Sequence, residues 1–279
     1  MLLRDESLTI SSLQPTNMKL ICLNIWGGKA FGPLMEYIKK ESKDTDIFCF
    51  QEIFGSGSDR KESNGTRVDI LTDIKAVLPG FDLLLAPIGS NYDNKGPVDF
   101  DVVESNAIFV RKNTIAKIDS SGTVFVRGAF KKLAMGETLQ DIPSNFQYIR
   151  FSVAEKKFTL CNIHGMAYPG HKLDTPERLT QSKILKEFLA KEKDAKILCG
   201  DFNLMPGTES IKTLEEEMEN LIGKFKIERT RSKVSPWFGK EGFQGFADYM
   251  FVSKNVNVLR FEVPDADVSD HLPLMLKFS

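Results

Sequence analysis

The chain is poor in the residues that usually advertise a chemistry. Its 279 residues include four cysteines, three histidines and two tryptophans. Cys22, Cys49, Cys161 and Cys199 form no Cys-x-x-Cys pair, which argues against a zinc site. Each lies inside an apolar, strand-like run, as expected of small buried hydrophobes in a reducing compartment, so the expected location is cytoplasmic. Charge of one sign is also lacking. Lys and Arg number 37 against 38 Asp and Glu, a net charge of −1. A domain that holds nucleic acid by bulk electrostatics carries a basic surplus, so any polyanion contact here has to come from a local patch. No apolar run approaches the roughly 18 residues that span a bilayer, and stable membrane insertion is not expected. Residues 1–17 turn acidic at Asp5 and Glu6 and contain no long apolar stretch, unlike a secretory leader. They read as a tail or an extra edge segment, and Met18, directly before the first strand, could itself begin translation. No internal repeat and no Pro/Ser-rich linker divides the rest. One domain over residues 18–279, acting as a monomer, is the expectation.

What is present is strand. Hydrophobic residues make up 42% and charged residues 27%, the balance of an ordinary globular protein. Residues 19–26 form a continuous apolar run, as in a strand buried on both faces, and 46–53 form a second. Helical spacing of apolar residues appears over 33–43 and 67–78, the latter closed by Pro79-Gly80. Residues 81–86, 106–111, 115–126, 147–154 and 158–164 read as strands, the later ones with short turns and hence antiparallel neighbours. Segments 55–65 and 88–100 read as loops. Thr175-Pro176-Glu177 is a helix start, with an N-cap candidate and proline in the first turn. Leu179, Leu185, Phe188 and Leu189 would form that helix's core face. Further strands are expected at 196–200, 247–253, 256–263 and 272–278, with a helix at 208–220. The pattern predicts two β-sheets packed face to face with helices on their outer sides.

The candidate chemistry lies at the ends of these runs. Asn24 and Glu52 are polar positions closing hydrophobic runs. His164 ends another, just before Gly165. Gly200-Asp201-Phe202-Asn203 closes Lys196–Cys199, Asp248 lies at the start of 247–253, and Ser269-Asp270-His271 precedes the last strand. Each signal alone has a bland reading: a Gly-Asp at a strand end as a turn, Glu52 as a solvated terminus, His164 as a structural histidine, Asp248 as a bulge cap. Their joint occurrence at successive predicted strand ends points to one site. A divalent cation such as Mg²⁺ or Mn²⁺ takes oxygen ligands, and Glu52, Asp201, Asn203 and Asp270 offer them. Asp201 and Asn203, two residues apart, would share a face of an extended segment. Asp248 is available to hold an imidazole in one tautomer.

These segments resemble the endonuclease/exonuclease/phosphatase (DNase I-like) superfamily. It takes in DNase I-like nucleases, abasic-site endonucleases, inositol polyphosphate 5-phosphatases, deadenylases and neutral sphingomyelinases. The resemblance rests on Leu23-Asn24-Ile25-Trp26, Phe50-Gln51-Glu52-Ile53, Asn162-Ile163-His164, Gly200–Asn203, Ala247-Asp248-Tyr249 and Ser269–Leu274, in that order. It implies an α/β, four-layer sandwich of two mixed or antiparallel sheets flanked by helices. It further implies a Mg²⁺- or Mn²⁺-dependent phosphoesterase that opens a phosphodiester by in-line attack of water, acting as a nuclease on nucleic acid. The same resemblance makes Glu52 the main metal ligand, with Asn24 and Asp270 beside the metal. Asp201 would position or deprotonate the water, and Asn203 would orient the water or the phosphate. His271, held by Asp248, would bind the phosphate, and His164 would contact it or assist the leaving oxygen.

The alternatives are an inositol-phosphatase-like or sphingomyelinase-like phosphoesterase and, more remotely, a catalytically silent binding module. Trp26 is a departure, because many nucleases of the family carry an acid or Asn two residues after the first Asn. Asn-Ile-Trp-Gly also resembles the opening of neutral sphingomyelinases. Candidate phosphate contacts lie in 127–132 and 228–233, which could equally be solvated faces. Trp237, Phe238, Phe243 and Phe246 could stack on bases or pack beneath their own loop.

Overall fold

Our computed structural model describes residues 17–113 and 117–279. The expected tail or edge segment, apart from Asn17, and the first residues of the strand expected at 115–126 lie outside the described residues. Eleven longer strands carry the architecture: β1 Met18–Asn24, β2 Ile47–Gly55, β3 Phe81–Ser90, β4 Val103–Arg111, β5 Lys117–Arg127, β6 Ser144–Val153, β7 Lys156–His164, β8 Ala195–Asp201, β9 Asp248–Val252, β10 Val258–Glu262 and β11 Leu274–Phe278. A seven-stranded sheet runs Lys131–Lys132, β3, β4, β2, β1, β11, β10. A six-stranded sheet runs Glu219–Asn220, β9, β8, β7, β6, β5. Both are mixed: β1 pairs parallel with β2, and β7 parallel with β8, among antiparallel neighbours. The expected antiparallel pairing of β5, β6 and β7 is present, whereas β4, expected beside β5, lies in the other sheet.

Alternation along β1 explains how one strand serves two interiors. Leu20 and Cys22 join the apolar cluster that includes Phe146, Leu160 and Leu198 of the second sheet. Ile21 and Leu23 join the cluster holding Leu34 and Ile38 of α1 (Phe31–Glu41) and Ile70 and Ile74 of α2 (Ile70–Val77). On the other side, Leu185 and Leu189 of α3 (Pro176–Ala190), with Ile211 and Leu214 of α4 (Glu209–Glu215), complete the first cluster. The result is four layers, helix–sheet–sheet–helix. All four cysteines are buried and free. Among the described residues no helix is long and apolar enough to cross a membrane.

Local chemistry adjusts several boundaries. Thr175 caps α3 as its sequence implies, accepting from Arg178 N at 3.2 Å, with Pro176 in the first turn. The core face of α3 differs from expectation, because Leu179 is exposed. Its place is taken by Arg178, Gln181 and Ser182, all buried. The Arg178 guanidinium donates to the carbonyls of Met166, Pro169 and Leu173 and so holds residues 166–173 against the helix. The helix expected over 208–220 stops at Glu215. Asn220 instead caps a further helix, α5 (Leu221–Lys224), accepting from Ile222 N at 3.0 Å. The expected loop 88–100 contains a short hairpin, Tyr92–Asp93 with Gly96–Pro97. Another, Glu62–Ser63 with Thr66–Arg67, runs past the expected loop 55–65 into the helix expected from 67, which begins at Ile70 instead.

Polar bolts cross between the sheets near one end. Gln51 Nε2 donates to Asn162 Oδ1 at 2.5 Å, and Asn162 Nδ2 to the Phe50 carbonyl at 3.1 Å. Asn106 Nδ2 donates to Asn145 Oδ1 at 2.9 Å. These buried amides lock the relative position of the sheets, because a shifted packing would leave them without partners.

One glycine has no alternative. Gly200 has φ +141°, and a Cβ there would fall 2.1 Å from the Ile163 carbonyl oxygen on the neighbouring strand. Gly200→Ala should therefore lower unfolding free energy in urea by at least about 3 kcal/mol or abolish folding. A near-wild-type midpoint would show that β7 and β8 can move apart at this point.

Candidate active site

Strand register brings the distant polar residues to one edge. In the six-stranded sheet His164, the last residue of β7, lies beside Asp201, the last of β8, and Asp201 lies beside Asp248, the first of β9. In the facing sheet Asn24 closes β1 and pairs with Gln51 of β2. The next residue, Glu52, is not at a strand end as expected, since β2 continues to Gly55. It sits at a bulge where pairing to β4 jumps from Phe50–Ala107 to Ile53–Ser105, with φ +58°. Bulges re-aim side chains, and left-handed backbone at a non-glycine residue is costly enough to mark a functional position.

Asn24 meets the cluster through its amide nitrogen. Its Oδ1 accepts from Trp26 N at 2.9 Å, which fixes the orientation of the amide. Nδ2 then bridges two carboxylates, donating to Glu52 Oε1 at 2.9 Å and Asp201 Oδ2 at 3.1 Å. The other Glu52 oxygen accepts from Asn94 Nδ2 at 2.7 Å. Asn203 does not continue an extended segment. Its φ is +54°, and its N–H turns back to Asp201 Oδ1 at 2.8 Å. The turn reading and the site reading of Gly200–Asn203 thus both hold. Asn203 Nδ2 donates to the Gly165 carbonyl, and its Oδ1 accepts from Lys172 Nζ.

The two histidines are set by different acids. His271 Nδ1 donates to Asp248 Oδ2 at 2.8 Å, leaving Nε2 3.7 Å from Asp201 Oδ2 and 3.8 Å from Asp270 Oδ1. Arg231 lies against that same Nε2 and ion-pairs with Asp270 at 2.5 Å. Burial and Arg231 disfavour a charged His271, but Asp248, Asp270 and Asp201 outweigh them and raise its pKa. A guanidinium can only donate, so in this arrangement Nε2 of His271 serves as the acceptor for Arg231. His164 Nδ1 is 3.1 Å from Glu104 Oε1. Burial opposes its charge, yet Glu104, Asp201 and Glu52 prevail and raise its pKa to about 9. For Asp201, burial pulls upward, while His271, Lys172, His164 and Arg231 pull harder and hold the carboxyl well below its usual range.

The cleft above these groups has a volume of about 340 Å³. Glu52, His164, Asp201, Asn203, Asp270 and His271 line it, while Asn24 and Asp248 support it from behind. Glu104, Asn94 and Lys172 were not singled out from sequence, each being one polar residue in a strand, a hairpin or an irregular segment with no spacing signal of its own. Arg231 falls within the run 228–233 expected to offer phosphate contacts, and it lines the cleft. Among the four aromatics before Asp248, Trp237 is exposed and lines the cleft. Phe238 and Phe243 pack edge to face at 5.3 Å, and Phe246 packs on the core. The two basic runs are largely engaged internally. Arg127 donates to the Gln140 and Ile142 carbonyls, Lys131 pairs with Glu137, and Arg229 and Lys233 share Asp265.

The donor set fits a hard cation at the Glu52 end. Both hydrogen-bond donors to Glu52 are neutral amides. Burial raises its pKa, with Glu104 and Asp270 adding to the effect, and the nearby His164 charge and the Asn24 hydrogen bond oppose it only in part. Such a carboxylate, held by neutral donors, offers oxygen ligands to a hard cation. Asp201, Asp248 and His271 also place one ligand-type atom each within 4.8 Å of one another. There the Asp248–His271 hydrogen bond already engages Nδ1.

The Endonuclease/Exonuclease/phosphatase family model matches residues 21–271. No curated protein sequence matches the chain. Among solved structures the chain is similar to the mannosyl-6-phosphatase Bt3783 of Bacteroides thetaiotaomicron, with TM-score 0.66, 18% identity and coverage of 94% of this chain and 99% of that one. It is similar to a humanized D. rerio TDP2, with TM-score 0.64, 14% identity and coverage of 95% and 99%. A third is the human Nocturnin catalytic domain with bound sulfate, with TM-score 0.60, 18% identity and coverage of 95% of both chains. At these identities the likeness is one of fold.

The Glu104–His164 pair makes a pH prediction. A folded pKa of about 9 above the unfolded value of 6.5 contributes stability in full below about pH 6.5, lost as pH rises through 9. Glu104→Gln should lower the His164 pKa by a unit or more in an NMR titration of the imidazole and flatten that part of the stability profile. An unchanged titration would remove Glu104 as its partner.

Proposed function

Because the chain belongs to the endonuclease/exonuclease/phosphatase family, we propose that it is a divalent-metal-dependent phosphoesterase. The observation that carries this is the row His164–Asp201–Asp248 across three paired strand ends, facing Glu52 at the floor of one cleft. Glu52 and Asp270 would hold Mg²⁺ or Mn²⁺, which as a Lewis acid neutralises charge developing on the phosphate oxygens. Asp201 accepts a hydrogen bond from the attacking water and aligns it with phosphorus. Held at low pKa, Asp201 is a weak base, so alignment is the larger part of its role. Asn203, pinned by Lys172 and Gly165, keeps the turn that aims Asp201. His164, cationic at neutral pH, donates from Nε2 to the phosphate or the departing oxygen. His271, its Nδ1 held by Asp248, presents Nε2 to the phosphate, and Arg231 turns from it to the same anion.

The nuclease reading keeps the phosphodiester as substrate and has Trp237 on the rim as a stacking surface. A second reading, hydrolysis of a small phosphorylated molecule, is favoured by the engagement of both basic runs within the fold. A cleft of about 340 Å³ has the size of small-ligand sites. The four buried thiols support a reducing compartment such as the cytoplasm.

A panel of single-stranded DNA, RNA, inositol phosphates, sugar phosphates and sphingomyelin with Mg²⁺ or Mn²⁺ separates these readings. Activity should vanish in excess chelator and return with added metal. Glu52→Gln should weaken the metal dependence at least 10-fold with the fold intact, and an unchanged metal titration would make Glu52 a bystander. Asp201→Asn should reduce turnover by roughly 10²-fold or more with little change in melting temperature. Near-full turnover in that variant would reduce Gly200–Asn203 to a strand-end turn.

A further inference from the structure

The cleft wall beside Glu52 is built from three turns that interlock. Trp26, Gly27 and Gly28 all have positive φ. A Cβ on Gly27 would lie 2.9 Å from Thr66 Cγ2 and 3.1 Å from Asn94 Nδ2, so the two hairpins close tightly over that turn. Asp93, buried at the second hairpin, accepts from Ser63 and Asn64 of the first at 2.6 and 2.7 Å. Asn94 then reaches Glu52. The wall is therefore fixed relative to the candidate metal-binding carboxylate.

Two lysines stand on this wall and line the cleft, Lys29 and Lys95. Other cations of the cleft are engaged: Arg127 by carbonyls, Arg231 by Asp270 and His271, His164 by Glu104. Lys29 and Lys95 are different. Among the described residues neither ammonium makes an ion pair or a hydrogen bond, and Lys29 Nζ lies over the Trp26 ring at 4.9 Å. Asp93, the nearest acid in sequence to Lys95, has its oxygens engaged by Ser63, Asn64 and the Lys95 backbone N–H. Burial lowers the Lys29 pKa and the Lys95 charge adds to this, while the fields of Glu52, Asp270 and Asp93 offset it only in part. Lys29 is half-buried and Lys95 exposed, and with no hydrogen bond or ion pair on either ammonium both are available as donors to an anion in the cleft.

We infer that Lys29 and Lys95 form an accessory anion subsite that takes a second phosphate group of the substrate, distinct from the phosphate attacked over Asp201. The inference rests on the phosphoesterase reading for the identity of that second site. It accounts for the Trp-Gly-Gly departure, since the positive φ values at 26–28 carry the chain past Asn24 and place Lys29 at the cleft. The second phosphate has two sources, the neighbouring phosphate of a nucleic-acid strand or another ester on a small molecule.

The test uses ligand pairs differing by one phosphate: a dinucleotide with and without a 5′-phosphate, and glucose 1,6-bisphosphate against glucose 6-phosphate. Calorimetric binding to Asp201→Asn with Mg²⁺ is read together with wild-type kcat/KM. The bisphosphorylated member of at least one pair should bind about 10-fold tighter or better, and that pair identifies the source. In Lys29→Gln/Lys95→Gln the ratio should fall to within about 2-fold of unity, while Lys29→Arg/Lys95→Arg should retain it. Equal binding in both pairs, or a preference that survives the double Gln variant, overturns the subsite. Turnover of singly phosphorylated ligands without preference would overturn the subsite alone. A Lys-dependent preference without turnover of anything would overturn the phosphoesterase reading alone.

Discussion

Buried negative charge at one edge of the sandwich is the constraint around which this site is arranged. Asp201, Asp248, Asp270 and Glu104 are nearly inaccessible, and Glu52 lies among them. Carboxylates removed from water need donors or cations, or they protonate. The fold meets that need differently at its two ends. Toward His271, an imidazole, a guanidinium and Lys172 surround Asp201 and keep it ionised. Toward Glu52, the donors are the amides of Asn24 and Asn94, and the pKa drifts upward instead. The asymmetry divides the cluster into a half whose carboxylate is kept ionised and a half whose carboxylate is held by neutral donors and pushed toward protonation.

Backbone geometry makes that arrangement possible. Three strand ends in register align His164, Asp201 and Asp248, and β7, β8 and β9 have no freedom to slip because their faces are buried. The parallel β7–β8 pair approaches so closely at Gly200 that no side chain fits. In the opposite sheet a bulge lifts Glu52 out of a strand that continues beyond it. The buried Gln51–Asn162 and Asn106–Asn145 bonds keep the two edges facing each other at a fixed separation. Convergence is thus a property of register, one bulge and a few polar bolts rather than of flexible loops.

The elements that surround the floor of the cleft have a separate origin. Residues 62–67, 92–97 and 26–28 form a wall whose hydrogen bonds run to one another and to Glu52. Residues 166–173 form another side, held by a buried arginine through carbonyl oxygens. Such rims vary more freely than floors because they sit outside the strand ladders.

Much of this was legible in the residues. The buried strands announce themselves as apolar runs, and Thr175-Pro176 marks the α3 start, because hydrophobic period and capping are local properties. The order of Asn24, Glu52, His164, Asp201, Asp248 and His271 along the chain was enough to suggest a single site. What stayed hidden depends on contacts that periodicity and capping do not encode, some within a few residues and others between distant segments. Glu104 is one acid within a strand until register sets it against His164. Arg178 replaces Leu179 on the core face because distant carbonyls need a donor there. Glu52 leaves its strand at a bulge defined by its partner, and Asn203 turns because Asp201 captures its N–H. The sequence by itself determined the strand set, the helix caps and the identity of the ligand-type side chains, since each follows from neighbours along the chain. The tertiary structure alone decided which of them share a proton, which carry charge and which cations remain free, because those depend on burial and through-space fields that no local spacing encodes.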